Sequence, residues 1–133
     1  TCCIGVGQME AIEDRIKRTR EVNQIYRKEV GDLFYSFQEE RKTDRSNMWL
    51  TCAIMKGEYK PEDLIDHLAK DNIEGRRLWK PMHEQPVMKG YNKYINGNSS
   101  LLFLQGICLP SGSDLTDADM ERIIKSIKTF FKK

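Results

Sequence analysis

No stretch of this sequence approaches the roughly 20 consecutive apolar residues that a helix needs to cross a bilayer, and no charged start followed by an apolar core marks a secretory leader. A soluble, cytoplasmic chain is the expectation. Cysteine is sparse, and Cys2, Cys3, Cys52 and Cys108 include no C-x-x-C pair, while the two histidines, His67 and His83, lie far from them. That spacing argues against a zinc site. The thiols are expected to be buried and reduced, as in cytosolic proteins. An excess of one charge is also missing: 22 basic residues face 20 acidic ones for a net charge of +2. The signs are intermixed, so neither a nucleic acid nor a membrane surface finds a basic face. The basic run Lys17-Arg18-Thr19-Arg20 has Glu10, Glu13, Asp14 and Glu21 around it and reads as a solvated helix face. An initiator methionine is lacking too, and Thr1-Cys2-Cys3-Ile4-Gly5-Val6-Gly7 reads like the middle of a domain, which predicts a fragment or a processed chain.

What is present suffices for one core. With 133 residues, 39% hydrophobic and 32% charged, the chain can bury roughly two thirds of its unfolded surface without staples. Between Gly7 and Gly31, apolar or small residues recur at Met9, Ile12, Ile16, Thr19, Asn23, Tyr26 and Val30, the spacing of one helix face, with Gly31 suited to the C-terminal cap. Leu33 to Gln38 and Met48 to Met55 read as strands separated by a polar loop from Glu39 to Asn47, and both faces of the second strand look covered. Pro61-Glu62-Asp63 opens a helix with Leu64, Ile65, Leu68 and Ala69 as its buried stripe and His67 at its surface. Asn72 closes it in a left-handed turn, and Ile73 to Leu78 form a short strand. Gly90 to Asn98 is loop, Ser99 to Leu104 one or two helical turns, and Ile107-Cys108-Leu109 a brief strand. Thr116 and Asp119 form a capping box for a last helix with a Met120, Ile123, Ile124, Ile127 and Phe131 stripe, and with Lys125, Lys128, Lys132 and Lys133 near its negative end. The predicted fold class is α+β: a small antiparallel sheet packed against the long N-terminal helix and further helices.

Chemistry concentrates between Glu74 and Pro86. Arg76 can pair bidentately with a diphosphate or carboxylate, Trp79 can stack on a flat ring, and His83 can hydrogen-bond a sugar or phosphate oxygen. Lys80 and Tyr94 are further candidate contacts. Each residue also has a plainer reading: an exposed strand arginine, a packed tryptophan, a histidine that fixes the turn after Pro81, a solvated lysine and tyrosine. Trp79 is read first as a packing residue, and Ser111, Gly112 and Ser113 as shaping the turn before Thr116. No complete catalytic set stands beside these residues.

The segments Arg76-Arg77-Leu78-Trp79-Lys80-Pro81-Met82-His83 and Leu109-Pro110-Ser111-Gly112-Ser113-Asp114-Leu115-Thr116, with Ile4-Gly5-Val6-Gly7-Gln8-Met9-Glu10 before them, resemble the C-terminal small domain of the DegT/DnrJ/EryC1/StrS family. The resemblance covers almost the whole chain, with three motifs in the expected order. It departs where a family Ser-Arg-Pro is Gly75-Arg76-Arg77, where a Y-G-G-G loop is Tyr94-Ile95-Asn96-Gly97, and where an often acidic residue is Leu101. Residues 1–31 would then be the helix joining a large to a small domain, residues 32–133 an α+β sandwich like the C-terminal domain of fold-type I aminotransferases, and the large cofactor-binding domain would be absent. The resemblance implies a parent enzyme that uses pyridoxal phosphate to transfer an amino group from glutamate to a nucleotide-linked 4-keto-sugar for cell-surface glycan synthesis. It also implies a homodimer, a Schiff-base lysine on the large domain and no catalytic residue or cofactor in this chain. Arg76, Trp79, Lys80, His83 and Tyr94 become substrate contacts on that reading. A stand-alone module that binds nucleotide sugars or a partner, or a degenerate gene fragment, is the alternative, and the length of the reading frame separates them.

Overall fold

The computed structural model describes residues 2–132, with side chains from Cys3 onward, so the placement expected for Lys133 lies outside the described residues. In chain order the elements are α1 (Cys2–Glu10), α2 (Ile12–Val30), β1 (Ser36–Phe37), β2 (Thr51–Ile54), α3 (Pro61–Lys70), β3 (Arg76–Arg77), α4 (Asn98–Gln105), β4 (Gly106–Leu109) and α5 (Asp117–Phe131). The four strands form one sheet in the order β1-β2-β4-β3, every neighbouring pair antiparallel. The α+β arrangement is as expected.

Local chemistry explains most boundaries. Pro61 begins α3 with Glu62 and Asp63 in its first turn, where the missing proline N–H costs nothing and carboxylates meet the positive helix end. Asn72 leaves it with φ 54°, the left-handed exit that asparagine tolerates. At α5 the Thr116 hydroxyl accepts from Asp119 N at 3.1 Å while the Asp119 carboxylate accepts from Thr116 N at 3.1 Å. This reciprocal pair satisfies donors that the helix itself cannot.

The N-terminal helix differs from its expected form. It begins at Cys2 and is interrupted at Ala11, where φ is −105° and ψ 0°. Met9 is 65% and Ile12 37% exposed, so the core stripe begins only at Ile16, and Val22, outside the expected stripe, is fully buried. Gly31 stays right-handed and opens a 3-10 turn, Gly31–Leu33, instead of capping in the left-handed region. The basic run is not simply solvated: Arg18 donates to Leu115 O at 2.6 Å and Asp117 at 2.9 Å, and Arg20 grips both Glu40 oxygens at 3.0 Å. Thr19 donates to Asn47 O at 2.5 Å. Three consecutive side chains thereby fasten α2 to two distant loops.

Val22, Tyr26 and Val30 of α2, Leu64 and Leu68 of α3, and Met120, Ile123 and Ile127 of α5 close over Ala53, Ile107 and Leu109 of the sheet. Each large aliphatic side chain fully buried there contributes about 1.5–3 kcal/mol. His67 is half-buried, against expectation, because its Nε2 lies 3.1 Å from Ser126 O and its ring 5.6 Å from that of Phe130. Ala69, by contrast, is exposed.

The other sheet face is only partly covered. Leu50, Cys52 and Ile54 are half-buried and Trp49 is 65% exposed, so only the Thr51 and Ala53 side is closed as the sequence reading expected for both. β2 also starts later than Met48, since Met48 has φ 48° and turns the chain there. Ser111 is buried: its hydroxyl accepts from Thr51 N at 2.8 Å and donates to Leu109 O at 2.7 Å, ending the β2–β4 ladder. At Gly106 a Cβ would lie 2.1 Å from Leu78 Cδ1 and 2.4 Å from Leu102 O, which explains glycine at the α4–β4 junction.

Candidate functional site

β3 sets the two arginines apart. Successive strand residues point to opposite faces, and the sequence alone leaves open which way each goes. Arg77 turns inward: it is ion-paired with Glu62, donates from Nη2 to Phe103 O at 2.7 Å and lies 4.2 Å above the Phe103 ring, with a buried Nε that has no partner among the described residues. It holds α3 and α4 to the sheet edge. Arg76 turns outward opposite Cys108 of β4, and its guanidinium meets Glu74 Oε1 at 2.8 Å from Nε and 2.7 Å from Nη2. Both side chains of that pair are nearly three-quarters exposed. Exposed pairs hold weakly, typically below about 1 kcal/mol, so an anion can take the place of Glu74.

Arg76 borders an open cleft of about 240 Å³ with Leu50, Glu74, Cys108, Ser111 and Asp114. A second cleft, of about 320 Å³, is lined by Met82, His83, Tyr91, Tyr94, Ile95 and Ser99 among others. His83 sits in the 3-10 turn Met82–Glu84 after Pro81, its Nε2 3.3 Å from Ser100 Oγ and 3.6 Å from Glu84 Oε1. Ser100 in turn donates to the Glu84 carboxylate. The histidine thus does fix the turn, and it faces a cavity as well. Tyr94 is fully exposed at the cleft's rim. Gly90 and Gly97 take the loop's positive φ values, 102° and 85°, and neither Ile95 nor Asn96 does. The missing glycines there cost no backbone strain.

Trp79 is not a core residue. It is 66% exposed and stacks on Trp49 with ring centroids 6.4 Å apart and planes 30° from parallel. Lys80 is exposed, and its carbonyl accepts from Gln85 Nε2 at 3.3 Å. The structure therefore groups His83 with Tyr94, puts Arg76 on a separate cleft, and leaves Trp79 and Lys80 outside both. Sequence reasoning missed Trp49, Arg77, Glu84 and Ser100. The pairings join residues 15 to 30 positions apart, which no local pattern encodes. Cys52 and Cys108 also meet here, with Cys52 half-buried and Cys3 exposed, contrary to uniformly buried thiols.

Among the described residues, no lysine has the setting expected of a Schiff-base partner for pyridoxal phosphate. A Schiff-base lysine is presented as a desolvated, activated amine; every described lysine is exposed except Lys128, and that one is bound to Glu29 at 2.8 Å. Among the described residues no group of three or more His, Cys, Asp or Glu side chains is placed to hold a metal ion, and no helix is long and apolar enough to cross a membrane.

Known proteins share both the sequence and the shape. EpsN of Bacillus subtilis (strain 168), provisionally named a pyridoxal phosphate-dependent aminotransferase, is 34% identical over 133 residues, covering 96% of this chain and 34% of EpsN. GDP-perosamine synthase of Escherichia coli O157:H7 is 30% identical over 129 residues, covering 96% of this chain and 35% of the synthase. A DegT/DnrJ/EryC1/StrS aminotransferase from Brucella abortus has the same fold, with a TM-score of 0.84 at 21% identity over 96% of this chain and 34% of its own. PseC of Helicobacter pylori, an aminotransferase of pseudoaminic acid biosynthesis, superposes at 0.84 with 17% identity over 96% and 36%. The chain spans about a third of the length of the curated relatives it matches. The sequence profile of one family matches residues 1–128, nearly the whole chain, and so the protein belongs to the DegT/DnrJ/EryC1/StrS aminotransferase family.

Proposed function

We propose that this chain is the small domain of a pyridoxal phosphate-dependent sugar aminotransferase, working as the substrate-side wall of a longer protein and catalytically silent by itself. The observation that carries the proposal is the family match over residues 1–128, combined with coverage of only 34% of EpsN. The amino donor is glutamate and the acceptor a nucleotide-linked 4-keto-sugar; the name of the GDP-perosamine synthase relative supports the nucleotide-linked sugar. Residues 1–31 join the small domain to the large one, and residues 32–133 form the small domain proper. A second subunit completes the enzyme.

Within that assembly Arg76 exchanges Glu74 for the diphosphate or a carboxylate, since its fork can form two parallel hydrogen bonds to either. His83, its ring held beside Ser100, offers a hydrogen bond to a sugar or phosphate oxygen, and Tyr94 covers the bound ligand from the rim of the same cleft. Trp79 and Lys80 add contacts outside the two clefts. The cofactor chemistry belongs to residues on the large domain, and no step of it is assigned to this chain.

Two measurements test the reading together. The full-length protein, given glutamate and a nucleotide-linked 4-keto-sugar, should form the amino sugar and 2-oxoglutarate. The chain alone, incubated with pyridoxal phosphate and then borohydride, should acquire no stoichiometric adduct at one lysine. An adduct confined to a single lysine overturns the silent-domain proposal, and a full-length protein without transaminase activity overturns the enzyme reading.

A further inference from the structure

We propose that Cys108 and Cys52 form a peroxide-sensitive dithiol site, in which oxidation links the two central strands by a disulfide. The proposal does not depend on the aminotransferase reading. Cys52 and Cys108 are direct partners in the antiparallel β2–β4 ladder, and their Sγ atoms lie 3.7 Å apart. The Cys52 carbonyl accepts from Gln38 N on the β1 side at 3.0 Å, and on the β4 side Met55 N donates to Gln105 O at 2.8 Å. Ladder bonds therefore fall at alternate positions that skip Cys52 and Cys108. Such non-hydrogen-bonded pairs bring Cα atoms to about 4.5 Å, at the near end of the roughly 4.4–6.8 Å that a disulfide bridges. Rotation of the two side chains has to close the remaining gap between the Sγ atoms.

The site is also supplied with a nucleophile and a way in. Cys108 lines the open cleft that Arg76 borders, and Glu74 and Asp114 are the other charged groups there. A hydrogen bond from the Cys52 thiol and the nearby Arg76 charge draw the Cys108 thiol below its usual range, against the desolvation that opposes them, while Cys52 is pushed up. Of the two thiols Cys108 is the readier to give up its proton, and thiolates are the species that react. Because Cys108 is only 6% exposed, a reactant about the size of water is required, and hydrogen peroxide meets that requirement where a bulky disulfide does not.

The Cys108 thiolate attacks one peroxide oxygen, the O–O bond breaks, and hydroxide leaves to take up a proton. Cys108 becomes a sulfenic acid. Cys52 then attacks the sulfenic sulfur and water departs, so that two thiols and one hydrogen peroxide give one disulfide and two waters. Cys52 is the resolving thiol.

The test uses the 133-residue chain with Cys2→Ser and Cys3→Ser, treated with graded hydrogen peroxide and analysed by mass spectrometry without reduction. The expected product is lighter by two hydrogens, joins the Cys52 and Cys108 peptides, and melts at a higher temperature than the reduced chain. Adding Cys52→Ser should trap a dimedone-reactive sulfenic acid on Cys108. Should that variant not fold, Arg76→Gln gives a separate reading: removal of the charge should slow oxidation roughly threefold or more and move its pH midpoint upward. Free thiols after excess peroxide, overoxidised Cys108 without a cross-link, or an unchanged rate in Arg76→Gln would each overturn the proposal.

Discussion

Arg76 and Arg77 are adjacent in sequence and opposite in destiny. Arg77 is spent on structure through Glu62, Phe103 O and the Phe103 ring, whereas among the described residues Arg76 has only the exposed carboxylate of Glu74. A side chain so lightly held is the one that a ligand can recruit. In the full-length protein, Arg76→Ala should weaken sugar-nucleotide binding by about 1.5 kcal/mol, roughly tenfold, if it supplies a charged hydrogen bond. Isothermal titration against the nucleotide-linked sugar checks this, and unchanged affinity returns Arg76 to the surface. The sequence reading singled out Arg76 and passed over Arg77, because a one-residue change of strand register reverses the two faces and the pattern alone does not say which arginine turns inward. Trp79 was misjudged for a related reason. A tryptophan is ordinarily packed in a core, whereas this one is exposed and stacks on Trp49, thirty positions away in another loop.

At the scale of the element, the readable parts were those governed by local rules. The order of helices and strands, the left-handed exit at Asn72, the proline start of α3 and the Thr116–Asp119 box all follow from neighbours within four residues. What local rules do not encode is the break at Ala11, a residue that ordinarily favours helix, and the fastening of α2 by Arg18, Thr19 and Arg20 to loops around Leu115 and Asn47. The capping box makes the clearest forecast at this scale. Thr116→Ala removes the acceptor for Asp119 N, so it should cost about 1 kcal/mol of stability, read as a lower urea midpoint with unchanged slope. Thr116→Ser should retain most of it. Equal losses in the two variants would mean that packing of the threonine methyl, and not the cap, is responsible.

For the molecule as a whole, near-balanced charge hides a dependence on a few carboxylates. The hydrogen bonds from Arg20 and then from Ser46 N hold the Glu40 carboxyl below its usual range, Lys128 does the same for Glu29, and the Thr116 hydroxyl and N–H for Asp119. A carboxyl lowered by folding adds stability that is complete above its unfolded pKa and disappears as pH falls through the lower folded value. The thermal midpoint should accordingly be flat near neutrality and decline on acidification through and below the ordinary carboxylate range. Glu40→Gln should lower the neutral plateau and shrink the acid-side decline, because its contribution is already gone. A variant curve parallel to the wild type at every pH would refute that linkage. On the proposed function, the two clefts would acquire a common purpose only when a further part of the protein closes over them. The sheet supplies one last consequence. Its edges, β1 and β3, are two residues long, and β3 consists of arginines. A foreign strand laid alongside would find too few unpaired backbone groups to zip onto. The fold is thereby guarded against fibre-like growth, and any lasting association must be made through side chains on its helices and loops.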